Sequence, residues 1–120
     1  MELGIQDVAQ QTGISAHTLR YYERIGLIVD VARDDIGHRR YGEDDLRWVE
    51  FLTKLRATGM PIQQMLRYAE LMRLGRDTVV ERTDLLVEHR ERVAEQIAEL
   101  QAHLAVIDHK IVNYRAGVYG

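Results

Sequence analysis

Apolar positions in the first part of the chain recur with the spacing of short helices. Ile5, Val8, Ala9 and Thr12 stand at i, i+3, i+4 and i+7, which is one face of a helix. Gly13 closes that helix, since glycine takes the left-handed stop conformation without strain. Ser15 reads as the N-cap of a second helix, its hydroxyl accepting from a free first-turn amide. That helix is predicted from Ala16 to Ile25, with Gly26 as its stop. Two short helices joined by a tight glycine turn outline a helix-turn-helix.

From Leu27 to Tyr41 the helical period disappears. "LIV" (Leu27 to Val29) reads as a strand, Asp34, Asp35 and Gly37 as a turn, and "RRY" (Arg39 to Tyr41) as the return strand of a hairpin wing. A third helix is predicted from Glu43 to about Thr58. Glu43, Asp44 and Asp45 fill its first turn, where carboxylates meet the positive end of the helix dipole. Leu46, Val49, Leu52 and Leu55 form its inward stripe, with Trp48 and Phe51 alongside. Gly59 ends it. Pro61 is placed at the first position of a fourth helix, where a missing amide costs nothing. Ile62, Met65, Leu66 and Ala69 supply that helix's apolar face, and Gly75 ends it.

Beyond Asp77 neither Gly nor Pro occurs until Gly117. Val79, Thr83, Leu86, Arg90, Val93, Ile97, Leu100, Leu104, Ile107, Ile111 and Tyr114 alternate by four and three residues, a heptad seam. A helix of ~36 residues would be ~54 Å long, and alone in water it would leave that seam bare. The expectation is a homodimer joined through Leu86, Val93, Ile97, Leu100, Leu104, Ile107 and Ile111. The alternative is a seam folded back on the short helices of its own chain. The predicted organisation is residues 1–75 as a winged helix-turn-helix domain, 76–113 as a dimerisation helix, and 114–120 as a tail that frays or packs locally.

Composition narrows the function. A chain of 120 residues with 46% hydrophobic and 29% charged residues suits one domain, or a small domain plus one long element. No apolar run approaches the ~18 residues of a membrane span, so no membrane partner is expected. The opening "MELGIQDVAQ" has neither basic leader nor apolar core, so no signal peptide is expected and the cytoplasm is the default compartment. Cysteine is absent, which excludes disulfides, thiolate metal sites and cysteine nucleophiles. The five histidines fall at no ligand spacing, so neither metal nor cofactor is predicted. No Ser/His/Asp set or phosphate-cradling glycine loop is visible, so no catalytic residue is assigned and an enzyme is not expected. A net charge of −3 argues against whole-surface binding to nucleic acid but leaves room for a local basic face.

Such a face exists in "HTLRYYERIGL". At ~100° per residue, His17, Arg20, Tyr21 and Arg24 share one side of the second helix. Ser15, Leu19, Tyr22 and Gly26 take the other, so the adjacent tyrosines point apart. Arginine offers a planar fork of donors matched to phosphate or a guanine edge. In a helix-turn-helix the N-terminal part of the second helix enters the major groove, which brings His17 and Thr18 near base edges. His38, Arg39 and Arg40 on the wing would grip the flanking backbone. A bland reading pairs Arg20 with Glu23 on a solvated surface. A rival reading makes the chain a coiled-coil interaction module whose helix-turn-helix binds protein.

The stretches "TGISAHTLRYYERIGLI" and "GHRRYGEDDLRWVEFLTKLRATGMPIQQM" resemble the MerR family of bacterial transcription regulators. His38 stands where tyrosine is commoner in that family. The resemblance covers Ile5 to about Met65 and implies a mainly α fold: a winged helix-turn-helix followed by a long C-terminal helix that forms an antiparallel coiled-coil dimer. It implies sequence-specific binding of such a dimer to pseudo-palindromic operators in double-stranded promoter DNA whose two recognition elements are too far apart. Distortion of that DNA then realigns the elements for RNA polymerase. Carried over, the DNA-binding set is Ser15, His17, Thr18, Arg20, Tyr21, Arg24, His38, Arg39 and Arg40, while Tyr22, Glu23 and Tyr41 match structural positions. The C-terminal half is most similar to the short, aldehyde-responsive branch, whose sensing cysteine is replaced here by Lys54. An aldehyde would condense with that lysine only if burial lowered its pKa. No large C-terminal drug-binding domain is expected, the sequence stopping at Gly120, and neither the existence nor the identity of a small-molecule effector is legible.

Overall fold

The structure, a computed structural model, describes residues 2–120. It contains helices α1 (Ile5–Thr12), α2 (Ala16–Arg24), α3 (Glu43–Ala57), α4 (Ile62–Arg73) and α5 (Val79–Arg115). A two-stranded ribbon of β1 (Ala32–Arg33) and β2 (Arg39–Arg40) lies between α2 and α3, and a 3-10 turn (Arg76–Thr78) precedes α5. The chain divides into two compact units, Met1–Arg82 and Thr83–Gly120.

In the first unit α1 packs on α2 and α3, and α3 on α4. The turn between α1 and α2 is built by three small residues. Gly13 sits at φ 78° and donates its amide to the Ala9 carbonyl. The Thr12 hydroxyl donates to the Val8 carbonyl at 2.7 Å and accepts from the Ile14 amide. Ser15 Oγ accepts from the Thr18 amide at 3.0 Å. Asp7 and Asp45 each accept the backbone amide three residues back, from Gly4 and Gly42, and so cap α1 and α3. The core comprises Val8, Leu19, Tyr22, Leu27, Ile28 and Tyr41 with Val49, Leu52, Leu55, Met60, Met65, Ala69 and Leu71. Trp48 stacks on Tyr68 at 6.0 Å between ring centroids and donates its indole N–H to the Leu27 carbonyl.

Two local expectations are corrected. Leu27 to Val29 is not a strand. The amides of Leu27 and Ile28 both donate to the Tyr22 carbonyl, and both side chains are fully buried. A backbone spent on closing the helix has nothing left for a ladder. Asp30 then takes a left-handed φ of 58°, and pairing begins at Ala32, opposite Arg40, with Arg33 opposite Arg39. Pro61 is the N-cap of α4, with extended backbone, and Ile62 is the first helical residue. The stops are otherwise those foreseen: Arg24 ends α2, one residue before Ile25, and Ala57 ends α3.

At the elbow before α5 the Thr78 hydroxyl lies 2.6 Å from the Leu71 carbonyl and 2.8 Å from that of Gly75, and it accepts from Arg82 Nε. The second unit is the body of α5 and the residues after it. Ile97, Leu100, Leu104, Ile107 and Ile111 are all exposed, between 40% and 68%. Leu86 and Val93 are half-buried. The helix runs to Arg115, and the tail packs locally: the Val118 amide donates to the Asn113 carbonyl, and the Tyr119 and Tyr114 rings lie 6.2 Å apart.

Candidate nucleic-acid interface

Helix α2 carries the split that its sequence foretold. Leu19 and Tyr22 are buried at 0% and 5% exposure, while His17, Arg20, Tyr21 and Arg24 are all exposed. Burial pushes the Tyr22 phenol pKa up, the Arg56 charge opposing it. The Arg24 guanidinium lies 5.6 Å from the centre of the Tyr21 ring, a cation–π distance that stiffens two long side chains on one face. At the start of the helix the Ser15 hydroxyl donates to Thr18 Oγ1 at 3.0 Å while accepting the Thr18 amide, so these two groups are tied to each other in the cap.

The wing turn is organised by Asp34. Its Oδ1 accepts from the amides of Ile36 (3.0 Å) and His38 (2.9 Å). The bond from His38 is the main reason its carboxyl sits below the usual carboxylate range. His38 stands out with its side chain 75% exposed and Nδ1 3.8 Å from the Asp34 carboxylate. Arg40 donates to the Glu2 carbonyl and lies 3.9 Å from its carboxylate. Arg20, His38, Arg39 and Arg40 line one groove of about 300 Å³ with Asp7, Asp34 and the first turn of α1. Of the exposed α2 residues, Arg20 shares this groove with the wing's His38, Arg39 and Arg40, whereas His17, Tyr21 and Arg24 are not among its lining.

Arg39 differs from its neighbours. Its Nε donates to Glu23 Oε2, while Arg33 Nη2 donates to Glu23 Oε1 at 3.0 Å. Glu23 thus joins α2 to both wing strands, and among the described residues no ion pair joins Arg20 to Glu23. Arg33 was not foreseen as part of this arrangement, because its place depends on a strand register that the misassigned "LIV" obscured. Tyr41, at the base of the wing, is fully buried. Its phenol pKa is raised first by burial and then by the nearby Glu23 charge. Lys54 is exposed on α3, so the burial that condensation with an aldehyde would require is absent.

A capped two-helix turn, a hairpin wing and two supporting helices define a winged helix-turn-helix protein. Residues 3–70 match the MerR HTH family of regulatory proteins. The chain belongs to the MerR family and is a transcriptional regulator of that kind. It is 43% identical over 93 residues to the HTH-type transcriptional regulator AdhR of Bacillus subtilis, covering 78% of this chain and 66% of that protein. It is 40% identical over 107 residues to an uncharacterised HTH-type transcriptional regulator of Haemophilus influenzae, covering 89% and 79%. Among solved structures it is similar to HiNmlR, a MerR family regulator lacking the sensor domain, bound to promoter DNA. That similarity has a TM-score of 0.89 and 38% identity and spans 96% of this chain and 87% of that one. A MerR family regulator of Bacillus thuringiensis matches with a TM-score of 0.83 and 29% identity, over 95% and 100%.

Proposed function

We propose that the chain works as a homodimer, joined through α5, that binds a pseudo-palindromic operator in double-stranded promoter DNA and distorts it to control RNA polymerase. The observation that carries the DNA part is the exposed face of α2, with His17, Arg20, Tyr21 and Arg24 turned outward beside a wing bearing His38 and Arg40. The Ser15 and Thr18 hydroxyls sit at the start of that helix, where a groove-entering helix meets bases and phosphates. Arg39 belongs to the same wing, through its pair with Glu23. The dimer part is supported by the exposed run Ile97, Leu100, Leu104, Ile107 and Ile111, continued by Leu86 and Val93. The solved relative HiNmlR is bound to promoter DNA. Among the described residues no helix is long and apolar enough to cross a membrane, and bacterial promoter DNA places the work in the cytoplasm. Any small-molecule effector of this chain would not be sensed through a thiol of its own, since the chain has no cysteine.

The test is a duplex selected by the protein from a random pool, followed by a salt titration of its affinity. Each phosphate neutralised lowers log K by ~0.9 per log unit of salt. A steep slope is expected for the unaltered protein, and Arg20→Ala with Tyr21→Ala should weaken binding at least ~10-fold. Unchanged binding by that variant, or a flat salt response, would refute the reading and favour a protein-binding module.

A further inference from the structure

We infer that Glu23 is a positioning residue: by holding β1 and β2 at once, its carboxylate fixes the wing against α2 and so sets how selectively the interface reads sequence. This rests on the reading that α2 and the wing bind duplex DNA. The ribbon pairs only two residues with two, and a two-stranded ribbon that short has no stability of its own. Its direction must come from ties to the rest of the unit. At its base Leu3 and Tyr41 exchange both backbone bonds, at 2.8 and 2.7 Å. Arg40 on β2 adds a bond to the Glu2 carbonyl at the same end, so both of these ties hold the base of the ribbon and neither reaches β1. The tie that reaches both strands is Glu23, with one carboxylate oxygen on each: Oε1 to Arg33 and Oε2 to Arg39.

The tie extends to the wing tip. Arg33 Nη1 donates to the Gly37 carbonyl at 3.0 Å, so one guanidinium joins the end of α2 to the turn. Glu23 and Arg39 are only 21% and 22% exposed at the side chain, which shields their pair from solvent, whereas the Arg33 side chain is 46% exposed. α2 itself is locked to the core by Leu19 and Tyr22. Glu23, next to Tyr22, therefore transmits a rigid frame to the wing. With the wing fixed, phosphate contacts at the flank and base contacts in the groove must be met in one register, which is how backbone contacts come to serve sequence discrimination. With the wing loose, its cations find phosphates on any sequence.

The experiment compares Glu23→Gln with the unaltered full-length chain on the selected duplex and on a scrambled duplex of equal length. Glu23→Gln should lower affinity for the selected duplex about tenfold while leaving the scrambled one unchanged or tighter. Arg33→Ala should also lower selectivity, and adding it to Glu23→Gln should bring less further loss than the two separate effects combined. If Glu23→Gln tightens both duplexes equally with a steeper salt slope, Glu23 merely masks two cations and the inference is wrong. Equal weakening of both duplexes alongside a lowered melting temperature would also overturn it, by showing a role in general stability alone. Should the unaltered chain fail to prefer the selected duplex, the DNA-binding reading falls and this inference with it.

Discussion

Asp34 shows how much of the wing depends on one carboxylate. It accepts two amides across the turn, and its pKa is depressed chiefly by the bond from His38. A depressed carboxyl stabilises the folded turn at pH above the ordinary aspartate value of about 3.9, and that contribution is lost as pH falls through the folded value. Amide exchange at Ile36 and His38 should therefore stay slow at neutral pH and accelerate below about pH 4, relative to what acid does to exchange in an unstructured peptide. Exchange that follows the unstructured peptide at every pH would deny Asp34 this role. The turn was legible in the sequence because Asp, Asp and Gly have local reasons to bend a chain. The bridge from Glu23 to Arg33 and Arg39 was not. It depends on a register that no local pattern specifies, and the same arginines read equally well as phosphate grips.

At the level of elements, helix boundaries were legible wherever one residue does the stopping or starting. Gly13 at φ 78° and Ser15 on the Thr18 amide are instances. Ser15→Ala should cost about 1 kcal/mol of stability through the lost cap, seen as a lower denaturant midpoint with an unchanged slope. No shift in midpoint would mean that the cap is idle. Leu27 and Ile28 misled for a physical reason. Their β-favouring composition answers equally to burial, and here burial won, with their amides committed to the Tyr22 carbonyl. A short apolar run cannot announce which of these it serves. The placement of Pro61 was off by one residue for a milder reason, since extended backbone at an N-cap and the first helical turn both accept its fixed φ.

Across the whole chain, the seam on α5 was the most legible feature, because eleven positions repeat one spacing. Its outer run is bare in a single chain, with Leu100 at 68% and Leu104 at 55% exposure. Leu100→Arg together with Leu104→Arg should separate the copies while leaving far-ultraviolet helicity of the first unit intact, because none of its core residues lies on α5. Operator affinity should fall with the loss of the second arm, since linked binding gains ~10²-fold or more over a single module. The decisive measurement is sedimentation equilibrium of the full-length chain at micromolar concentration, alone and with the selected duplex. The account predicts two chains in free solution and two chains on each duplex. A single-chain species that binds one to one would contradict it.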